Sequence, residues 1–445
     1  MKVSLFALVC MSALSQSLMA QAPAEAPQQA VPSATPVLSG PQSPEISPAT
    51  KADVETKISE LLGDRAYVPT VDFTQWPNFL KGEQPKLDAA KTEDEFTRDI
   101  NEALTKFSAS HIYLASPKAS DARRTQSMVG IGISQQTAQD GTVTVMHLVP
   151  GAPAEMAGLV PGDVILDVDG RKAEGIKGIA GPEGSQVILT VRHLNGKTED
   201  VTITRAKFST IRPEELTELN KTTAKLTIYT FDWTYDRDRV EDLMQKAQKY
   251  KNLILDLRDN GGGAVVNLQH LLGFFLSPDT SIGTFVKKEL VNNYVLDTGG
   301  KPSDVVKIAS WSRTKDRWDS QQIRPLHTPS DERFHGHVAV LINKFSGSAS
   351  EIAAAALHDL DNAQLVGQKS AGAVLVSVIV PASHDFNLQY PIMDYVTIKG
   401  LRLEGNGLTP TVQVDGTPAK FNAPDIAVEK AEELLAQSKN HEDRG

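Results

Sequence analysis

The spacing of hydrophobic positions changes character along the chain. Between residues 51 and 107 apolar side chains recur at helical intervals: Val54, Ile58, Leu61 and Leu62, then Phe96, Ile100, Leu104 and Phe107. Ahead of the second set, Thr92-Glu93-Asp94-Glu95 has the form of a capping box, so the spacing predicts a helix over 92–107 that stops near Ser108. From Ser127 to Phe208 the pattern becomes short and alternating, broken by glycine turns. Residues 129–134 (VGIGIS), 142–149 (TVTVMHLV), 161–170 (PGDVILDVDG), 186–191 and 200–204 read as strands, and 151–159 as a short helix. From Leu226 onward, continuous apolar runs alternate with helical ones. Residues 253–257 (LILDL) and 338–342 (VAVLI) predict buried strands, followed by helices over 264–275 and through Leu357; a last helix over 429–438 is expected on the outside. Strand–loop–helix units of this kind predict an α/β domain with its chemistry at the strand ends.

Composition narrows the class. Of 445 residues, 40% are hydrophobic and 22% charged, enough apolar material for several cores. The net charge of −10 argues against a nucleic-acid or polybasic membrane-surface role. Residues 1–20 carry Lys2, an apolar run from Val3 to Leu14 and small residues up to Ala20, the layout of a secretory signal peptide. A lipoprotein-type attachment at Cys10 is the alternative, but Phe6-Ala7-Leu8-Val9 lacks the expected small residue. Cys10 is the single cysteine, so cleavage after Ala20 leaves no thiol for a disulfide, a nucleophile or a metal. Residues 21–50, rich in Pro, Ala, Gln and Ser, read as an extended linker, with order expected from about Lys51. No later apolar run is long enough to span a bilayer.

The chemistry concentrates at two strand ends. Asn343-Lys344-Phe345-Ser346-Gly347-Ser348-Ala349-Ser350-Glu351 leaves one buried strand and enters an Ala-rich helix. A serine at such a junction presents its hydroxyl on a tight turn, and the next amide points into the same space from a helix N-terminus. That is a nucleophile with half an oxyanion hole; the plainer reading makes Ser346, Ser348 and Ser350 N-cap candidates. Gly261-Gly262-Gly263, at the end of the other strand, lets backbone amides approach a substrate closely. No Gly-Lys-Ser/Thr follows, which disfavours a nucleotide site. His335 and His337 sit two apart before a strand, without an apparent third metal ligand, and no cofactor is expected.

LILDLRDNGGG (253–263) together with VLINKFSGSASEIAAAALHD (340–359) resembles the C-terminal processing, or tail-specific, peptidases of the S41 group. GIGISQQ and VPGAPAEMAGLVPGDVILDVDG resemble a PDZ domain. The resemblance implies an α/β, ClpP/crotonase-like catalytic core, a small β-rich PDZ domain and a helical N-terminal region. It also implies a Ser348 nucleophile. The processing branch uses a Ser–Lys dyad, and aligning Gly367 and Gly372 puts Ala373 where that lysine stands; Lys369 falls four residues too early. Instead, Ser110-His111 resembles the Ser-His element of tricorn-type members, and LEGNGLTP (403–410) matches the stretch that carries their glutamate. The implied site is therefore Ser348 as nucleophile, His111 as general base, and Glu404 orienting it through Ser110. The N–H groups of Ala349 and of Gly261 or Gly262 would form the oxyanion hole. Val129, Gly130, Ile131 and Gly132 resemble the carboxylate-binding loop of a PDZ domain.

These readings divide the chain into a signal peptide (1–20), a linker (21–50), a helical region carrying Ser110-His111 (51–126), a PDZ-like domain (127–208), a catalytic domain (209–428) and a C-terminal helix and tail (429–445). They imply a secreted, periplasmic serine endopeptidase acting on proteins or peptides with free C-termini, compatible with a homo-oligomer or an adaptor. The alternative is a catalytically inactive peptidase fold that binds C-terminal tails, with Ala373 in place of the lysine.

Overall fold

The computed structural model describes residues 43–175, 177–314, 321–414 and 423–442. The expected signal segment with Cys10, and residues 21–42 of the expected linker, lie outside these. Within the described residues no helix is long and apolar enough to cross a membrane. Packing begins ahead of the expected Lys51: Ile46 is buried, and Ser47 caps a helix that starts at Pro48 and runs to Asp64. The Thr92/Glu95 capping box forms as expected and opens the helix Glu93–Thr105. Between them stands Trp76–Ala89, a helix the apolar spacing does not announce because it carries Pro77 and Pro85 and buries few apolar side chains.

The helical region does not close a core of its own. Val54, Ile58, Phe96, Ile100 and Leu104 pack with Leu388 and Tyr390 of a five-stranded antiparallel sheet, and with Leu375 and Phe386 just ahead of two of its strands. The long strand Asn387–Thr397 organises that sheet, pairing with Val376–Pro381, with Gly283–Val286 and, at its start, with the short strand Tyr113–Ala115.

A second sheet has the strand order Glu215–Asn220, Thr223–Thr227, Asn252–Asp256, His337–Ile342, Gln364–Gly367 and Val412–Gln413. All its pairings except the first are parallel. Strands Asn252–Asp256 and His337–Ile342 lie at its centre, which is why their sequences read as unbroken apolar runs. One face packs on helices Arg237–Ala247, Val265–Gly273 and Ala349–Asp361. The final helix Ile426–Glu442 covers the other face through Ala427, Val428, Ala431 and Leu435.

The alternating region forms its own sheet and core. Its strands run in the order Ile133–Thr137, Val143–Leu148, Val164–Val168, Gln186–Arg192 and Thr198–Thr204. The expected single strand 129–134 is broken, because Gly132 has φ +78° and sits tight against Ala152. Ser127–Gly130 instead pairs with Ala206–Ser209, forming a two-stranded neck through which the chain passes into the module and back out.

Candidate active site

The two central parallel strands end side by side, with Asp256 paired to Leu341, so their following loops meet. Side chains stitch them together. The Ser346 hydroxyl donates to Leu257 O at 2.8 Å, the Ser350 hydroxyl to Asn260 O at 2.8 Å, and Gly347 N–H to the same carbonyl at 3.0 Å. Two of the three serines are thus fixed in backbone contacts. Ser348, between them, is buried at φ +59°, a conformation few non-glycine residues adopt. Such strain at a strand-to-helix turn is a mark of a functional position.

Glu351, fully buried one turn into the helix, holds that turn. Its carboxylate accepts from Ser348 N–H at 3.0 Å, Ala373 N–H at 3.0 Å, Gly372 N–H at 2.9 Å and the Ser370 hydroxyl at 2.5 Å. Burial pushes the Glu351 carboxyl above its ordinary range, and these four donors oppose that rise. The sequence marks Glu351 only through Ser348-x-x-Glu351, the spacing of a capping box, which does not by itself disclose its buried role.

The Ser110-His111 side, expected to supply the base, is built from distant segments. Helix Glu93–Thr105 grips strand Tyr113–Ala115 through Asn101, whose side chain accepts from Leu114 N–H at 2.7 Å and donates to Leu114 O at 2.9 Å. That strand, held also by Asn387–Thr397, fixes the turn carrying His111 (φ +57°). The Ser110 hydroxyl donates to Glu404 Oε2 at 2.8 Å and lies 2.6 Å from His111 Nδ1. Its one proton being directed at Glu404, the hydroxyl oxygen accepts Nδ1–H, so the neutral imidazole keeps its lone pair on Nε2. Glu404 also accepts from Ser110 N–H and Val374 N–H, each at 2.9 Å. Burial pushes the His111 imidazole down to about 4.

Segment 370–374 joins the two sides. Successive amides diverge, Ala373 N–H to Glu351 and Val374 N–H to Glu404. The position that would carry a lysine is here part of a backbone bridge between two carboxylates. Lys369 runs its side chain along Gly407, in the loop carrying Glu404.

One expected oxyanion donor is corrected. Gly262 N–H donates to Asn260 Oδ1 at 2.9 Å, so it does not point at a substrate. The contribution of Gly262 is steric: at φ +101°, a Cβ there would lie 2.7 Å from Ser348 Cβ and 2.9 Å from Ala349 N. Ala349 is the first residue of its helix, and Gly261 O faces Gly347. Ala349 N–H and Gly261 N–H remain as the candidate pair.

Residues 222–414 match the family model described as peptidase family S41, and residues 144–193 match a PDZ domain. The chain carries an S41 peptidase domain. Both loops around Ser348, the bridge 370–374 and Glu404 fall inside it, whereas Ser110-His111 lies outside the matched range. A probable CtpA-like serine protease of Staphylococcus aureus (strain bovine RF122 / ET3-1) is 28% identical over 295 residues, covering 64% of this chain and 53% of that protein. This chain therefore spans about half the length of that relative. A carboxy-terminal-processing protease of Bartonella bacilliformis is 28% identical over 346 residues, covering 75% of this chain and 73% of that protein. Among solved structures, mature CPAF aligns at 15% identity with a TM-score of 0.51, covering 88% of this chain and 96% of that one, a likeness of fold.

Other predicted residues lie apart from the S41 site. Of the four expected carboxylate-loop residues, Val129 and Gly130 belong to the neck, paired with Lys207 and Ala206. Ile131 is buried in the PDZ core, and Gly132 precedes the edge strand Ile133–Thr137. Residues 173–185, where a PDZ ligand helix would be sought, contain turns and no helix among the described residues. His335, one of the two closely spaced histidines, donates to Ser330 O.

Proposed function

We propose that the protein is a secreted, periplasmic serine endopeptidase of the S41 type that cleaves proteins selected by their free C-termini. The observation that carries this reading is the Ser110 hydroxyl bound to both Glu404 and His111, which leaves His111 Nε2 as a proton acceptor. Ser348 Oγ attacks the peptide carbonyl as His111 Nε2 takes its proton. Glu404, through Ser110, supports the imidazolium that forms, the logic of a catalytic triad with a serine interposed. Ala349 N–H and Gly261 N–H stabilise the oxyanion. His111 then protonates the leaving amine, and a water molecule deprotonated by His111 releases the acyl-enzyme. No cofactor is required.

Substrate selection is assigned to the PDZ domain. Among the described residues, strand Ile133–Thr137 pairs on one side alone, with Val143–Leu148, so a C-terminal peptide can add along its open edge.

The test is labelling with a serine-reactive phosphonate, with Ser348→Ala as control, beside cleavage of a reporter protein with a free or an amidated C-terminus. A Ser348-dependent adduct and preference for the free C-terminus are expected. Absence of the adduct with retained tail binding would instead leave an inactive peptidase fold serving its PDZ domain, the reading that Ala373 favours.

A further inference from the structure

Helix Pro117–Thr125 connects the strand after His111 to the neck of the PDZ domain. It carries Arg123, whose side chain is only 10% exposed and whose Nη2 donates to Asp232 Oδ2 at 3.1 Å; Asp232 is 2% exposed. The guanidinium also lies 5.6 Å from the centre of the exposed Trp233 ring. Tyr113 is the other ionisable group facing it, its hydroxyl pushed up by burial and drawn back by the Arg123 charge. Among the described residues, Arg123 Nη1 and Asp232 Oδ1 are buried without a hydrogen-bond partner. A desolvated pair left incomplete in this way contributes little to stability compared with an apolar pair of the same shape. What it supplies is a fixed distance between two segments.

The segment beyond Asp232 ends at the catalytic loop. Phe231 N–H donates to Gly262 O at 2.8 Å, and Ala264 N–H to Phe231 O at 2.7 Å. The Thr230 hydroxyl donates to Gly262 O at 3.3 Å, and Asn267 Nδ2 reaches the carbonyls of Phe231 and Asp232 at 2.9 and 3.1 Å. A Cβ at Gly263 would collide with the Phe231 carbonyl carbon and the Asp232 nitrogen, so the two backbones are in contact without slack. Gly262 in turn abuts Ser348 Cβ and Ala349 N. Any shift of Asp232 must therefore move the glycine loop against the nucleophile turn.

We propose that Arg123 is a positioning residue for the oxyanion-binding loop, acting through Asp232 and the segment 230–232. This rests on the reading of Ser348 as nucleophile. It predicts that loss of the pair harms stabilisation of the oxyanion and spares ground-state binding.

The probes are a peptide aldehyde with an apolar terminal residue and the matching peptide alcohol, applied to the full chain. Ser348 Oγ adds to the aldehyde carbon, its proton passes to His111, and the carbonyl oxygen becomes the oxyanion; the alcohol binds without this step. Asp232→Asn keeps the packing and removes the charge, and Arg123→Met removes the cation. Each should lower aldehyde affinity and kcat about 10- to 100-fold, less than the loss of a whole oxyanion donor. Alcohol affinity and KM should not change, and Arg123→Lys should recover part of the loss. Should Arg123→Met fail to fold, Asp232→Asn decides. A folded Asp232→Asn protein with the wild-type aldehyde-to-alcohol ratio and kcat overturns the proposal alone. Aldehyde binding that is the same in wild type and Ser348→Ala overturns the reading of Ser348, and this inference with it.

Discussion

The two halves of the site are made differently. On the Ser348 side, the proposed nucleophile side, Ser348, Glu351 and the glycine loop occupy adjacent strand–helix connections of one mostly parallel sheet, over the main core. On the His111 side, the proposed base side, Ser110 and Glu404 stand 294 residues apart, brought together by a short edge strand and a late loop. The first is held by contacts within one sheet and its loops; the second, though His111 is strained too, is held by hydrogen bonds between separate layers. Substitutions on the nucleophile side should therefore cost stability and activity together, and those on the base side mainly activity.

The largest expected effect is His111→Ala, a loss of at least about 10³-fold in kcat in a protein with near wild-type thermal stability, read by peptide hydrolysis and calorimetry. Retained activity would remove His111 from the mechanism. The pH profile sharpens the same point. With the His111 imidazole pushed down to about 4 by burial, kcat/KM should show its acid limb near that pH and stay level through neutrality. A lysine base would move that rising limb up to neutral or alkaline pH instead. Below pH 6.5 the unfolded chain takes up a proton that folded His111 refuses, so its contribution is complete above about pH 6.5 and is lost as pH falls toward 4.

Gly262→Ala comes next: a methyl group driven against Ser348 and Ala349 at positive φ should lower kcat about 10²- to 10³-fold and lower the melting temperature as well. The paired carboxylates test the contrast directly. Glu351→Gln leaves four donors facing one acceptor oxygen and should destabilise by about 1–3 kcal/mol in denaturant titrations. Glu404→Gln should instead lower kcat about 100-fold with a smaller change in midpoint. Equal effects of the two on stability would collapse the distinction. Lys369→Ala should be smallest, within about twofold of wild-type kcat, as for a surface substitution; a large loss would restore a lysine base.

The same contrast governs what the sequence discloses. Strands 253–257 and 338–342 were legible because burial on both faces forces continuous apolar runs, and the serines and glycines after them are local signals. The Thr92 helix start was legible for the same reason, its capping box being complete within a few residues. Glu351 was equally local, but its buried role depends on amides contributed by residues 372 and 373. In sequence, Gly262 reads as an available amide donor; that Asn260 takes its N–H is a tertiary fact. The helix Trp76–Ala89 was hidden by its prolines. The sharing of a core between residues 54–104 and the strands at 375–390 leaves no mark in either segment alone.

The neck has a consequence for how the molecule can change. Ser127 is paired with Ser209 and Gly130 with Ala206, so the chain crosses into the PDZ domain and returns at neighbouring positions. To the peptidase, everything between Gly130 and Ala206 is topologically the tip of one hairpin. Cutting there and closing with a two-residue Asn-Gly turn requires no rethreading of either remaining sheet. A module attached in this manner can be lost, lengthened or replaced while His111 and Ser348 keep their places, which makes the PDZ domain the part of this protein most open to exchange.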